Sequence, residues 1–157
     1  AAYPGGHPAS TGPGQELAVL RAKAEAGAGF ALTQVVFDAD EYAALRHRAD
    51  AAGLDLPLVP GMLPLTDPAR VVRMAELAEA EPPATVLEAL SGFDERERGS
   101  RYRLGVELSA RLARDLLDAG APGLHLYSSN RHEAVVDVLD ALDLLPLPPC
   151  TCPGGRS

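Results

Sequence analysis

A chain of 157 residues has the size of one ordinary domain and can bury a real core. With 46% hydrophobic and 23% charged residues it is globular rather than disordered, and a formal net charge of −8 disfavours a general affinity for nucleic-acid phosphates. No run approaches the ~20 consecutive apolar residues of a membrane span, so a cytoplasmic protein with neither membrane nor nucleic-acid partners is expected.

The sequence opens on Ala1-Ala2-Tyr3, which reads as the stub of a strand. A helix follows over 14–26, with Leu17 and Leu20 inward. The run 30–37 is mostly apolar and ends in β-branched and aromatic residues, as a strand buried on both faces requires. Asp38 with Glu41 three residues later makes an acidic variant of the capping box, and the helix it opens runs to about Ala52, where Gly53 caps it.

A short strand over 56–61 runs into a Pro60-Gly61 loop, because proline is poor in a central strand. The helix predicted over 68–80 carries Val71, Val72, Ala75 and Ala78 as its stripe, and a shorter one holds Val86, Leu87 and Leu90. The charged segment 94–103 is expected to be a solvated connection. Leu104, Leu108, Leu112 and Leu116 then recur every four residues in a helix that Gly120 ends. A strand over 123–127 and a helix over 131–142, with Val135, Val138, Leu139 and Leu142 inward, complete the order. Alternating strands and helices of these lengths predict an α/β fold with right-handed crossovers. Four such units are half of the eight that a TIM barrel needs; a four-stranded open sheet is the alternative.

Polar residues gather where strands end: Tyr3 and His7 after the first, Thr33 and Gln34 in the second, Pro60-Gly61 at the third, and His125, Tyr127, Asn130 and Arg131 along the fourth. In a barrel these ends open on the face that carries the site. Taken singly, each has a plainer explanation. His7 fits a solvated or capping histidine, and Gln34 could simply bond neighbouring loops, although a buried amide must satisfy both donors and an acceptor. Arg131 at a helix start opposes the helix dipole, which hints at an anionic partner. Arg46, His47 and Arg48 read as the wet face of their helix. Cys150 and Cys152, one residue apart in the tail, lack the spacing of a zinc site, and no metal is expected. No nucleophile elbow, P-loop or dinucleotide fingerprint occurs.

The segments Ala1-Ala2-Tyr3-Pro4, His7-Pro8, Lys23-Ala24-Glu25-Ala26-Gly27-Ala28, Leu32-Thr33-Gln34 and Phe37-Asp38 resemble methylenetetrahydrofolate reductases. So do Ala52-Gly53, 59–64, 119–127 and Asn130-Arg131, all in order and with compatible spacing. The resemblance covers the chain to about Leu145. It implies strands five to eight of a TIM barrel in residues 1–145, followed by a disordered tail over 146–157.

It further implies an oxidoreductase that uses FAD, takes hydride from NAD(P)H and converts 5,10-methylenetetrahydrofolate to 5-methyltetrahydrofolate. Position by position, Tyr3, His7, Glu16 and Lys23 fall on cofactor contacts, while Gln34 and Arg131 fall on substrate contacts. The general acid for opening the folate ring belongs to the first half of the barrel, so no catalytic residue is expected in this chain. An incomplete, inactive piece of a longer, homo-oligomeric enzyme is the leading expectation. A non-catalytic ligand-binding or assembly half-barrel is the alternative. Departures from the family pattern occur at Val19, Arg70, Met74 and Ser128-Ser129.

Overall fold

The computed structural model describes Ala2 and residues 13–146. Helix α1 (Pro13–Glu25) has Glu16 in its first turn and Lys23 in its last, each sign matched to its end of the helix dipole. It buries Leu20, with Leu17 and Ala24 packed alongside. Strand β1 (Ala31–Val35) follows, and helix α2 (Ala39–Ala51) buries Tyr42, Leu45 and Ala49.

Asp38 caps α2 by accepting the Asp40 N–H at 2.9 Å, so the cap is real but the capping box with Glu41 does not close. Desolvation by burial, and after it the neighbouring Asp38 carboxylate, raise the Glu41 pKa. Gly53, at φ +63°, ends α2 as the spacing predicts.

Strand β2 (Leu58–Met62) contains Pro60 and Gly61, which the sequence placed in a loop. The strand accommodates Pro60 because pairing is irregular there. Leu32 opposes Val59 and Val35 opposes Gly61, so one residue of β1 is extra, and the missing proline N–H falls at the irregularity. Helix α3 (Pro68–Ala78) has Asp67 as N-cap and Pro68 in its first turn, and buries Val71, Ala75 and Ala78. Val72 lies outside that stripe and is exposed. Helix α4 (Ala84–Ser91) buries Leu90.

The charged segment over 94–103 is solvated over most of its length, as expected, but it is a helix start and not a loop connection. Asp94 accepts the N–H groups of Arg96 and Glu97, and the Glu97 carboxylate accepts the Asp94 N–H, closing a capping box. A 3-10 turn (Glu95–Glu97) leads directly into helix α5 (Arg98–Asp118). Strand β3 (His125–Leu126) and helix α6 (His132–Ala141) end the order. Gly120, at φ +86°, closes α5.

The three strands form one parallel sheet in the order β1-β2-β3. Ala2 continues it on the β1 side: its N–H donates to the Leu32 carbonyl and its carbonyl accepts the Gln34 N–H, both at 2.8 Å. The stub expected at the chain start is therefore paired in parallel with β1. The main core joins the sheet to the helices through Leu20, Tyr42, Leu45, Leu58, Met62, Val71, Leu112 and Leu116.

Arginines then tie helix ends together. Arg21 of α1 donates to the carbonyl of Ala52 at the end of α2, Arg46 of α2 to that of Gly120 at the end of α5, and Arg114 of α5 to that of Ala141 at the end of α6. Each satisfies a carbonyl that a helix terminus leaves without an intrahelical partner. Among the described residues no helix is long and apolar enough to cross a membrane.

Candidate functional site

The ends of β1, β2 and β3 meet around Thr33, Gly61 and Tyr127. The Thr33 hydroxyl accepts the Gly61 N–H at 2.9 Å and donates to the Gln34 carbonyl at 2.6 Å, which fixes the irregular pairing beside Pro60. Gly61 is required by what surrounds it. A Cβ there would stand 2.8 Å from Tyr127 Cε2 and 3.0 Å from the Thr33 carbonyl oxygen. The absent side chain lets the Tyr127 ring close over β2, and the Tyr127 N–H donates to the Met62 carbonyl at 2.9 Å.

His125 pairs in register with Gly61, two residues before Tyr127. Its ring meets the Tyr127 ring edge to face, with centroids 4.6 Å apart and planes at 84°. Tyr127 also packs, with Met74 and Phe37, against the small cluster of Val35, Leu63 and Ala78.

Gln34 is half-buried, and its carboxamide makes no hydrogen bond among the described residues, although the Gln34 backbone is paired on both sides. The carboxylates nearest in sequence to the strand ends are committed elsewhere. Asp38 caps α2, and Asp67 caps α3 while lying 3.9 Å from Arg70. Asn130 and Ser129 form the centre of a turn between β3 and α6, with φ of 63° and 47°. Arg131 follows at the N-cap of α6, exposed and without an ion pair among the described residues. Among the described residues the arrangement offers an amide, an aromatic wall and a cation.

Glu16 and Lys23, seven residues apart, are separated by about two turns and share one face of α1. Glu16 is buried, Lys23 half-buried, and both are engaged in contacts. Val19, on the same face, is 46% exposed. This face could receive an elongated ligand with an anionic group, the lysine supplying the cation. Tyr3, His7, Cys150 and Cys152 lie outside the described residues. No group of three or more His, Cys, Asp or Glu among the described residues could hold a metal ion.

The sequence missed the supports behind the site. Gly105 and Ser109 of α5 hold the segment after β2: the Ser109 hydroxyl accepts the Leu65 N–H at 2.8 Å and donates to the Gly105 carbonyl at 2.6 Å. A Cβ on Gly105 would lie 2.5 Å from the Leu65 carbonyl oxygen. A glycine inside a long helix was the available signal, since that placement costs ~1 kcal/mol relative to alanine unless close approach requires it.

A family model described as methylenetetrahydrofolate reductase matches residues 1–143. The chain is 32% identical over 145 residues to a probable methylenetetrahydrofolate reductase (NADPH) of Caenorhabditis elegans, covering 92% of this chain and 22% of that protein. It is 30% identical over 146 residues to the 5,10-methylenetetrahydrofolate reductase of Escherichia coli, covering 93% of this chain and 49% of that protein. Against methylenetetrahydrofolate reductase 2 of Saccharomyces cerevisiae it is 31% identical over 135 residues, covering 83% of this chain and 22% of that protein. The chain thus spans half or less of the length of these relatives. A parallel α/β chain matched over nearly its whole length by one family model, and by relatives from bacteria to animals, belongs to the methylenetetrahydrofolate reductase family.

Proposed function

We propose that this chain is the second half of the catalytic barrel of a reductase that converts 5,10-methylenetetrahydrofolate to 5-methyltetrahydrofolate, and that it is inactive without the first half. The observation that carries the reading is Gln34, a half-buried carboxamide without a partner among the described residues, at the end of β1 in a member of this family. An amide with two donors and an acceptor matches the alternating donors and acceptors of a pterin edge. Arg131 supplies a planar cation suited to folate carboxylates. Tyr127 and His125 wall the same end with aromatic surface.

The half-barrel reading draws on the parallel order that runs from Ala2 through β1 and β2 to β3, which closure into a barrel would continue on both sides.

FAD, reduced by NAD(P)H, would supply the hydride chemistry. The face of α1 fits such a cofactor in kind. Lys23 would meet a phosphate, Val19 would give apolar contact, and Glu16 would offer an acceptor to a hydroxyl. Tyr3 and His7 belong to the same proposed cofactor contact. Asp38 and Asp67 are committed as helix caps, and on the half-barrel reading the acid for ring opening would come from the first half of the barrel. The complete enzyme would work in the cytoplasm as a homo-oligomer.

The test is reductase assay of the native polypeptide that carries this sequence, beside residues 1–157 expressed alone. The native polypeptide should hold flavin and form 5-methyltetrahydrofolate, and the isolated chain should do neither. Turnover by the isolated chain would overturn the half-barrel reading, and a native polypeptide without folate reduction would overturn the function.

A further inference from the structure

We infer that Arg70 is a positioning residue for Arg131, acting through the turn between β3 and α6; this rests on Arg131 contacting substrate as proposed above. Arg70 sits in the first turn of α3, where a cation opposes the helix dipole, so its placement calls for another interaction. Part of the compensation is Asp67, whose carboxylate lies 3.9 Å from Arg70 Nε. The rest reaches across to the neighbouring strand's loop: Arg70 Nη1 stands 3.5 Å from the Ser129 carbonyl oxygen.

That carbonyl belongs to a turn in a sparsely populated conformation. The Arg131 N–H donates to the Ser128 carbonyl at 2.9 Å, and both residues between them have positive φ, which makes this a type I′ turn. Asn130 tolerates that region, but Ser129 does so poorly, and a strained turn persists only where its surroundings hold it. Arg70 is the side chain from outside the turn that bonds it among the described residues. Asp67 fixes the Nε side of the guanidinium, leaving Nη1 for Ser129. The turn in turn sets where the Arg131 backbone leaves β3 and enters α6. Arg70 therefore acts on substrate affinity through the turn that carries Arg131.

The experiment combines amide exchange with kinetics on the holoenzyme. Arg70→Ala should speed exchange of the Arg131 amide by about tenfold, corresponding to loss of one weak tether. It should raise KM for methylenetetrahydrofolate with little change in kcat. Adding it to Arg131→Ala should raise KM no further, because the two act as one unit. Arg70→Lys, which keeps a donor, should recover most of both readouts. Unchanged Arg131 exchange in Arg70→Ala overturns the tether, and additive KM effects overturn action through Arg131. If Arg131→Ala leaves KM unchanged, the substrate role of Arg131 falls, and the inference's link to substrate falls with it.

Discussion

The guanidinium of Arg46 donates to the carbonyl of Gly120, so that a side chain of α2 closes the C-terminus of α5. The same relation links Arg21 to Ala52 and Arg114 to Ala141, a repeated solution for carbonyls at helix ends. The sequence reading placed Arg46 on the wet face of α2. It is only partly exposed, also faces Asp50 at 3.7 Å, and has a structural task.

Removing that task should be measurable. Arg46→Ala should lower stability to urea unfolding by ~1 kcal/mol, the usual net worth of one such hydrogen bond near the surface. Gly120→Ala should cost ~1–2 kcal/mol more than that, because the residue sits at φ +86° and its Cβ would meet the Arg46 guanidinium. A Gly120→Ala protein as stable as the parent would contradict this assignment.

Gly105 offers a case where two effects oppose each other. Alanine is favoured over glycine inside a helix by ~1 kcal/mol. Here the added methyl meets backbone of the segment after β2, at 2.5 Å from the Leu65 oxygen and 2.6 Å from Thr66 Cα, and backbone cannot swing aside. Overpacking of this kind costs ~1–3 kcal/mol, so Gly105→Ala should destabilise. Ser109→Ala should cost ~1–3 kcal/mol by leaving the buried Leu65 N–H without its acceptor. Chemical denaturation of the two variants checks both signs.

Tyr102 of α5 donates its hydroxyl to Asp137 of α6 at 2.6 Å. Desolvation first, then the hydrogen bond to Asp137 and the charges of Asp137 and Glu133, push its pKa up to about 12 from 10.0. Raised in the folded state, the group contributes stability that is fully present below pH ~10 and is lost as pH rises toward ~12. Tyr102→Phe should therefore flatten the fall of stability across that window, and should remove a late component from the tyrosinate absorbance titration. An unchanged slope would show that the Tyr102–Asp137 bond is not made in solution. Buried Tyr42, whose hydroxyl donates to the Leu58 carbonyl and whose pKa is also raised by burial, remains as a late component among the described residues.

Much of the element order was legible because the apolar period is strong: Leu17 and Leu20, Leu45 and Ala49, and Leu112 and Leu116 face inward as their spacing requires. The errors came where polar chemistry overrode composition. Asp94 and Glu97 turned a charged run into a helix start, and Pro60 was admitted to a strand because the pairing slips at that point. Gln34 could be named as a polar residue within a strand, Arg131 from its position after one, and both from family resemblance. The support behind them could not, since the contacts of Ser109 with Leu65 and of Arg70 with Ser129 join residues far apart in sequence. Nothing in local pattern encodes such pairs.

The central claim turns on Gln34, and its most direct test is steady-state kinetics of Gln34→Ala in the complete holoenzyme, read beside its flavin content. A substrate contact predicts a fall in kcat/KM for methylenetetrahydrofolate of about tenfold to a hundredfold, as loss of a ~1.5–3 kcal/mol interaction implies, with flavin retained. Unchanged kcat/KM, or loss of flavin in step with activity, would contradict it.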